Sequence, residues 1–124
     1  MLATDASDVG VGGVVMQEHS GVEHPVAYFS KKFNKAQRNY SVIEKELLAI
    51  VLALQHFHVY LPSYGPVIKV YSDHHPLQFL AKFKYKNQRL TRWALLLQEC
   101  NLDVQHMKGS DNVLADCLSR EMKE

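Results

Sequence analysis

Cysteine is scarce in this 124-residue chain: only Cys100 and Cys117 occur, both in segments with helical patterning. That scarcity sets aside a disulfide scaffold, and the two thiols read as reduced core residues of an intracellular protein. Long apolar runs are also missing. The longest, Leu47 to Leu54, falls far short of the roughly 20 residues that cross a bilayer, so no membrane partner is expected. No charged start, apolar run and small-residue cleavage site mark a secretory leader. A strand-like segment follows Met1 almost at once, so the chain is expected to be part of something longer. Net charge is only +1, which gives no global electrostatic case for nucleic acid. The glycines between Gly10 and Gly13 lack the GK[ST] ending of a nucleotide-binding loop. Neither His56-x-His58 nor His74-His75 has its histidines four apart on a helix, and no cysteine pair supports them, so no structural zinc is expected.

What is present suits one compact domain over residues 1–124, with 47% hydrophobic residues for a single core. A charged fraction of 22% and 10% aromatics exclude a disordered chain. Charge is unevenly spread. Met1 to Ser30 has four acids and no Lys or Arg, whereas His74 to Gln98 has Lys82, Lys84, Lys86, Arg89 and Arg92 and no acid. Such a basic stretch suits either contact with a phosphate backbone or a solvated helical face.

The hydrophobic pattern predicts strands over Met1–Ser7, Gly12–Gln17 and His24–Ser30, joined as an antiparallel meander with glycine or polar clusters at the turns. Ser41 followed by Glu44 matches a capping box. Ile43, Leu47, Ile50, Val51, Leu54 and Phe57 then recur at helical spacing, predicting a helix from Ser41 to near Tyr60. Further elements are a strand at Val67–Ser72, a short helix from His74 to Phe83, a helix at Asn87–Glu99, a strand at Leu102–Met107 and a helix at Asp111–Arg120. That order suggests an α/β domain, a mixed sheet with helices packed on it.

Of 13 acids, four sit in or beside separate elements where charge is unusual: Asp5, Glu46, Asp73 and Asp116. Asp5 lies inside a strand, and burying an unpaired carboxylate costs several kcal/mol. Asp73 ends an otherwise apolar strand, where an N-cap for the next helix is the alternative. Asp116 shares a helix face with Asn112 and Arg120, and a solvated surface acid is its alternative. Glu44 and Glu46 compete on one helix. Glu44 is used by the capping box, while Glu46 lies on the side of Ala49, Ala53 and Phe57. Gathered at one sheet edge, such carboxylates would cage hard divalent cations and support metal-assisted phosphoryl hydrolysis. Trp93, beside Leu95, Leu96 and Leu97, reads as core instead of a base-stacking platform.

The segments TDAS at Thr4, ELLAIVLAL from Glu46, YSD ending at Asp73 and NVLADCLSR from Asn112 resemble, in order and spacing, the ribonuclease H family. Together with HPVAYFSKK, YSVIEKE, SDHHPL and RWALLLQE they are most similar to the ribonuclease H domain of gypsy-class long-terminal-repeat retrotransposon polyproteins. The resemblance spans about Ala3 to Glu121 and selects Glu46 over Glu44. It implies a ribonuclease H-like fold: a five-stranded mixed sheet, three antiparallel strands first and then two parallel ones, flanked by helices. It implies hydrolysis of the RNA strand of RNA–DNA hybrids with two Mg²⁺ ions, for which Mn²⁺ would substitute. Asp5 would bridge both ions, Glu46 and Asp73 would hold the leaving-group one, and Asp116 the one beside the attacking water. The expected partners are the hybrid and a reverse transcriptase polymerase domain in the parent polyprotein, inside retroelement particles in the cytoplasm.

Two departures accompany the resemblance. The histidine-bearing loop of many cellular members is absent, because Lys108-Gly109-Ser110 runs directly into Asp111, and His106 belongs to a strand. The basic handle helix is reduced to Lys82–Lys86. Ser7, Gly12, Asn39, Asn112, Lys84 and Arg89 are the candidates for contacting substrate. The rival functions are a catalytically silent tether or domesticated binding module of the same fold, and a related nuclease or integrase acting on DNA.

Overall fold

The computed structural model describes residues 1–57, 68–72, 76–83, 85–98 and 102–106. Strands β1 (Leu2–Ala6), β2 (Gly10–His19), β3 (Val22–Lys32), β4 (Ile68–Ser72) and β5 (Leu102–His106) form one sheet in the order β3-β2-β1-β4-β5. β1–β2 and β2–β3 pair antiparallel, and β4 runs parallel to both β1 and β5. This is the mixed sheet expected from the sequence. It puts β1, which carries Asp5, at the centre.

The hairpin departs from expectation in length and in its glycines. Gly10, Gly12 and Gly13 lie within β2, and the turn is made by Ser7–Val9 before them. The reason is packing: a Cβ on Gly13 would stand 3.4 Å from Ala53 Cβ and 3.6 Å from Phe29 Cδ1, so glycine lets the helix above approach the sheet. β2 and β3 then extend to a tight turn at Ser20 (φ 54°) and Gly21 (φ 80°), the pair of positive dihedrals that matches strand twist. A register shift between Val15 and Met16 bends the pair. β3 is the outer strand, which is why Pro25, lacking an N–H, is tolerated within it.

Helix α1 (Val42–His56) starts as expected. Ser41 takes the N-cap and its hydroxyl accepts from Glu44 N at 3.3 Å. It ends at His56 with Phe57 as C-cap, earlier than the spacing of apolar residues suggested. Before it, a 3₁₀ turn (Gln37–Asn39) is fixed by reciprocal bonds: Gln37 N donates to Asn34 Oδ1 at 2.8 Å, and Asn34 N to Gln37 Oε1 at 3.0 Å. α1 packs on β1, β2 and β4, and α2 (Pro76–Phe83) and α3 (Gln88–Gln98) pack against α1. Leu47, Ile50, Ala53 and Phe57 from α1 meet Leu2, Val11, Phe29 and Val70 from the sheet and Leu80, Leu90, Trp93 and Leu97 from the other helices. Each large side chain fully buried there contributes about 1.5–3 kcal/mol. Trp93 is core, as expected. Among the described residues no helix is long and apolar enough to cross a membrane. The terminal helix expected at Asp111–Arg120, together with Cys100 and Cys117, lies outside the described residues.

Candidate active site

Asp5 is the penultimate residue of β1, paired across the sheet with Gly12, and is only 4% exposed. Its chain neighbour Thr4 pairs with Ser72, the last residue of β4. Glu46 reaches this end of the sheet from α1, is 2% exposed, and its Oε2 accepts from the Ser72 hydroxyl at 3.5 Å. That distance is long for an O–H···O bond. Thr4, Ser72 and Gly13 belong to the face under α1, so strand alternation puts Asp5 on the other face. Two buried carboxylates thus flank the C-terminal end of β1, one from each side.

Asp73 follows Ser72 in the chain, but Asp73, Asp116, Asn112 and Lys84 all lie outside the described residues. Among the described residues no group of three or more His, Cys, Asp or Glu gathers into a cation cage. The His56 ring lies tilted against Phe29 at 4.7 Å and edge-to-face with Phe57 at 5.0 Å; His58, His74 and His75 are outside the described residues.

The remaining candidates fall in three places. The Ser7 hydroxyl closes the β1–β2 turn, accepting from Val9 N and Gly10 N at 3.3 Å each. Asn39 is exposed on the 3₁₀ turn, and its Nδ2 donates to Lys35 O at 3.4 Å. Arg89 is partly exposed and held by its neighbours. Its guanidinium pairs with Glu44 Oε2, lies 4.0 Å from the Tyr40 ring centre and 5.6 Å from that of Trp93. Burial alone would push the Glu44 carboxyl up, but hydrogen bonds from Arg89 and Ser41 and the charge of Arg89 hold it below the ordinary carboxylate value. Glu44 is therefore both cap and clasp, tying the start of α1 to α3. Lys82, in the last turn of α2, and Lys86, in the turn before α3, have their ammoniums 5.3 and 5.8 Å from the centre of the Phe83 ring.

Two residues escaped the sequence reading. Ser72 had a signal, a small polar residue closing an apolar strand beside an acid. Lys45 had none: a lysine beside Glu46 reads as surface, yet it is 9% exposed, its ammonium 5.6 Å from the centre of the Phe33 ring.

A central strand flanked by an antiparallel hairpin on one side and parallel strands on the other, with acids at its C-terminal end, defines a ribonuclease H-like fold. Solved structures bear this out. The chain aligns with LC11-RNase H1, solved in complex with an RNA/DNA hybrid, at TM-score 0.72 and 19% identity, covering 97% of this chain and 93% of that one. The foamy viral protease–reverse transcriptase, solved in complex with an RNA/DNA hybrid, aligns at TM-score 0.67 and 23% identity over 86% of this chain and 15% of that one. Residues 1–100 match the model of the RNase H-like domain found in reverse transcriptase, and the chain belongs to that family. Among curated relatives it is 43% identical to the retrovirus-related Pol polyprotein from transposon opus of Drosophila melanogaster, over 96% of this chain and 12% of the relative. It is 44% identical to the transposon Tf2-3 polyprotein of Schizosaccharomyces pombe, over 100% of this chain and 10% of the relative. The chain therefore spans about a tenth of the length of the relatives it matches.

Proposed function

We propose that this chain, one domain over residues 1–124, is the ribonuclease H of a gypsy-class retroelement reverse transcriptase. It hydrolyses the RNA strand of RNA–DNA hybrids with two divalent cations. The observation that carries the reading is the burial of Asp5 and Glu46 at one strand end, at 4% and 2% exposure, in a member of this family. Buried carboxylates are costly unless they are hydrogen-bonded, paired or ligating. An all-oxygen donor set of this kind suits Mg²⁺, with Mn²⁺ as substitute, and Asp73 and Asp116 complete it in the proposal. When bound, the cations supply charge neutralisation at the attacking and leaving oxygens of the phosphodiester.

The chain's own residues do the rest. Asp5 and Glu46 approach the end of β1 from its two faces, and Ser72 orients Glu46. Ser7 and Arg89 act indirectly, by holding the β1–β2 turn and the α1–α3 clasp that frame the surface. Gly12, Asn39, Lys84 and Asn112 are the proposed direct contacts. Choosing RNA over DNA needs contact with the 2′-hydroxyl. The much longer relatives support a parent polyprotein with a polymerase domain, acting inside the cell within retroelement particles.

The test is cleavage by the purified chain, alone and joined to its polymerase domain, with Mg²⁺ or Mn²⁺. The expected result is hydrolysis of RNA in the hybrid, none of single-stranded RNA or duplex DNA, and loss of turnover in Asp5→Asn. Binding of hybrid without cleavage under every condition would favour the tether, and cleavage of duplex DNA would favour a DNA-acting relative.

A further inference from the structure

The end of the sheet remote from the two carboxylates carries an overhang. β1 pairs with β2 as far as Val15, and Met1 and Met16 exchange backbone bonds of 2.8 and 3.1 Å. Beyond that point, among the described residues, Gln17–His19 have β3 alone as a partner. The β2–β3 hairpin thus runs on past the sheet as a two-stranded ribbon, a form that is marginal in water with nothing to pack on. It keeps apolar residues on its surface all the same. Val22 is 57% exposed, Val26 is 51% exposed, and Pro25 is exposed beside Val26. Pro25 and Val26 line a surface depression with Gln17 and His24. A lone exposed valine needs no account, but apolar residues round a depression on a protruding element mark a docking surface.

Charge and position decide what this surface fits. Residues 17–26 include Glu18 and Glu23 and no Lys or Arg, whereas the other end of β3 carries Lys31 and Lys32, both exposed. An apolar surface on an acidic segment repels a phosphate backbone. It suits a protein surface with an apolar centre and a rim of Lys or Arg. Along β2, Glu18 stands about 20 Å from Gly12, the partner of Asp5, at about 3.4 Å of rise per residue. An occupant here therefore leaves the carboxylates open to substrate. In the longer parent proposed above, the polypeptide ahead of β1 arrives beside Met16, so the domain upstream is tethered within reach of the overhang.

We infer that the overhanging end of the β2–β3 hairpin, centred on Pro25 and Val26, is the surface on which the polymerase domain of the parent polyprotein docks. The inference rests on the reading of the chain as one domain of a reverse transcriptase and adds the contact face to it. The upstream domain covers Val22 and Val26 with apolar side chains and supplies the basic charge that this segment lacks. Docking at this end of the sheet holds the opposite end, with Asp5 and Glu46, in a fixed direction relative to the polymerase.

The test compares hydrogen exchange in the chain joined to its polymerase domain with exchange in the chain alone. Amides of residues 22–26 should exchange about tenfold more slowly in the joined protein, while those of residues 31–39 stay unchanged. The double substitution Val22→Lys and Val26→Lys changes only exposed side chains. It should leave the melting temperature and the RNA cleavage of the isolated chain as they are. In the joined protein it should cancel the protection and enlarge the particle in small-angle scattering. Equal exchange in the two wild-type proteins, or protection that survives the double substitution, overturns the inference. Protection produced in the chain alone by added hybrid makes the surface a nucleic-acid site, and protection produced by raising its concentration makes the occupant a second copy; either overturns it too. Hybrid cleavage without protection overturns the inference and leaves the nuclease reading standing. Protection without cleavage upholds the docking face and counts against the nuclease.

Discussion

The clasp between Glu44 and Arg89 allows a stability effect to be worked from the structure. Exposure of 34% for the Arg89 side chain and 16% for Glu44 puts the pair between a surface ion pair and a buried one. Surface pairs contribute about 0.2–1 kcal/mol, and breaking a buried one costs about 3–5 kcal/mol, so a coupling of about 1 kcal/mol is expected here. Arg89→Met also removes the contacts over Tyr40 and Trp93, each about 0.5–1 kcal/mol. Against this, Arg89 Nε is buried with no acceptor among the described residues, which lowers the net value of the native arrangement. The single substitution should therefore cost about 2 kcal/mol, or roughly 8 °C in melting temperature. Combining it with Glu44→Gln in a double-mutant cycle isolates the pair. The pH dependence has a definite sign. The Glu44 carboxyl titrates lower in the folded protein than in the unfolded chain, so its stabilisation is complete above the ordinary carboxylate value of 4.5 and is lost as pH falls through the folded value. Urea unfolding at pH 7 and at about pH 3 measures both. A coupling within error at pH 7, or one unchanged in acid, would refute the reasoning.

Two further outcomes follow from single contacts. Gly13→Val should cost about 1–3 kcal/mol in urea unfolding, because even a Cβ there touches Ala53 and Phe29 and further methyls have no room, whereas Gly13→Ala should be much milder. Ser72→Ala, which removes the hydroxyl bonded to Glu46, should weaken Mn²⁺ binding by calorimetry about tenfold, at the low end for an outer partner because the bond is long.

How much was legible in the sequence follows the range of the interactions involved. The Ser41 cap and the amphipathic run behind it are local, and the structure holds both. The mix of antiparallel and parallel strands was legible because two hairpin-linked strands must pair antiparallel, while a helix between strands makes a parallel crossover; the spatial order of the strands was not. Gly10 was placed in the turn ahead of the strand expected from Gly12, whereas β2 already begins there; the reason for glycine at Gly13 is Ala53, 40 residues away in sequence and directly overhead in space. The true turn residues, Ser20-Gly21, carried a readable dipeptide signal, as did Asn34 and Gln37 for the 3₁₀ turn. The partner of Arg89 was not legible, because sequence shows charge and not who shares it; Glu44 lies 45 positions away. At the candidate site, Asp5 and Glu46 were visible as acids in apolar surroundings. Lys45 was invisible, since its burial depends on Phe33 and on the turn after β1.

The central claim is that Asp5 and Glu46 serve one cation site. Anomalous diffraction from crystals soaked in Mn²⁺ tests it most directly. The account predicts a Mn²⁺ peak at the C-terminal end of β1 within coordination distance of both carboxylates, lost in Asp5→Asn. Density at neither carboxylate, or a peak that persists unchanged in Asp5→Asn, would contradict it.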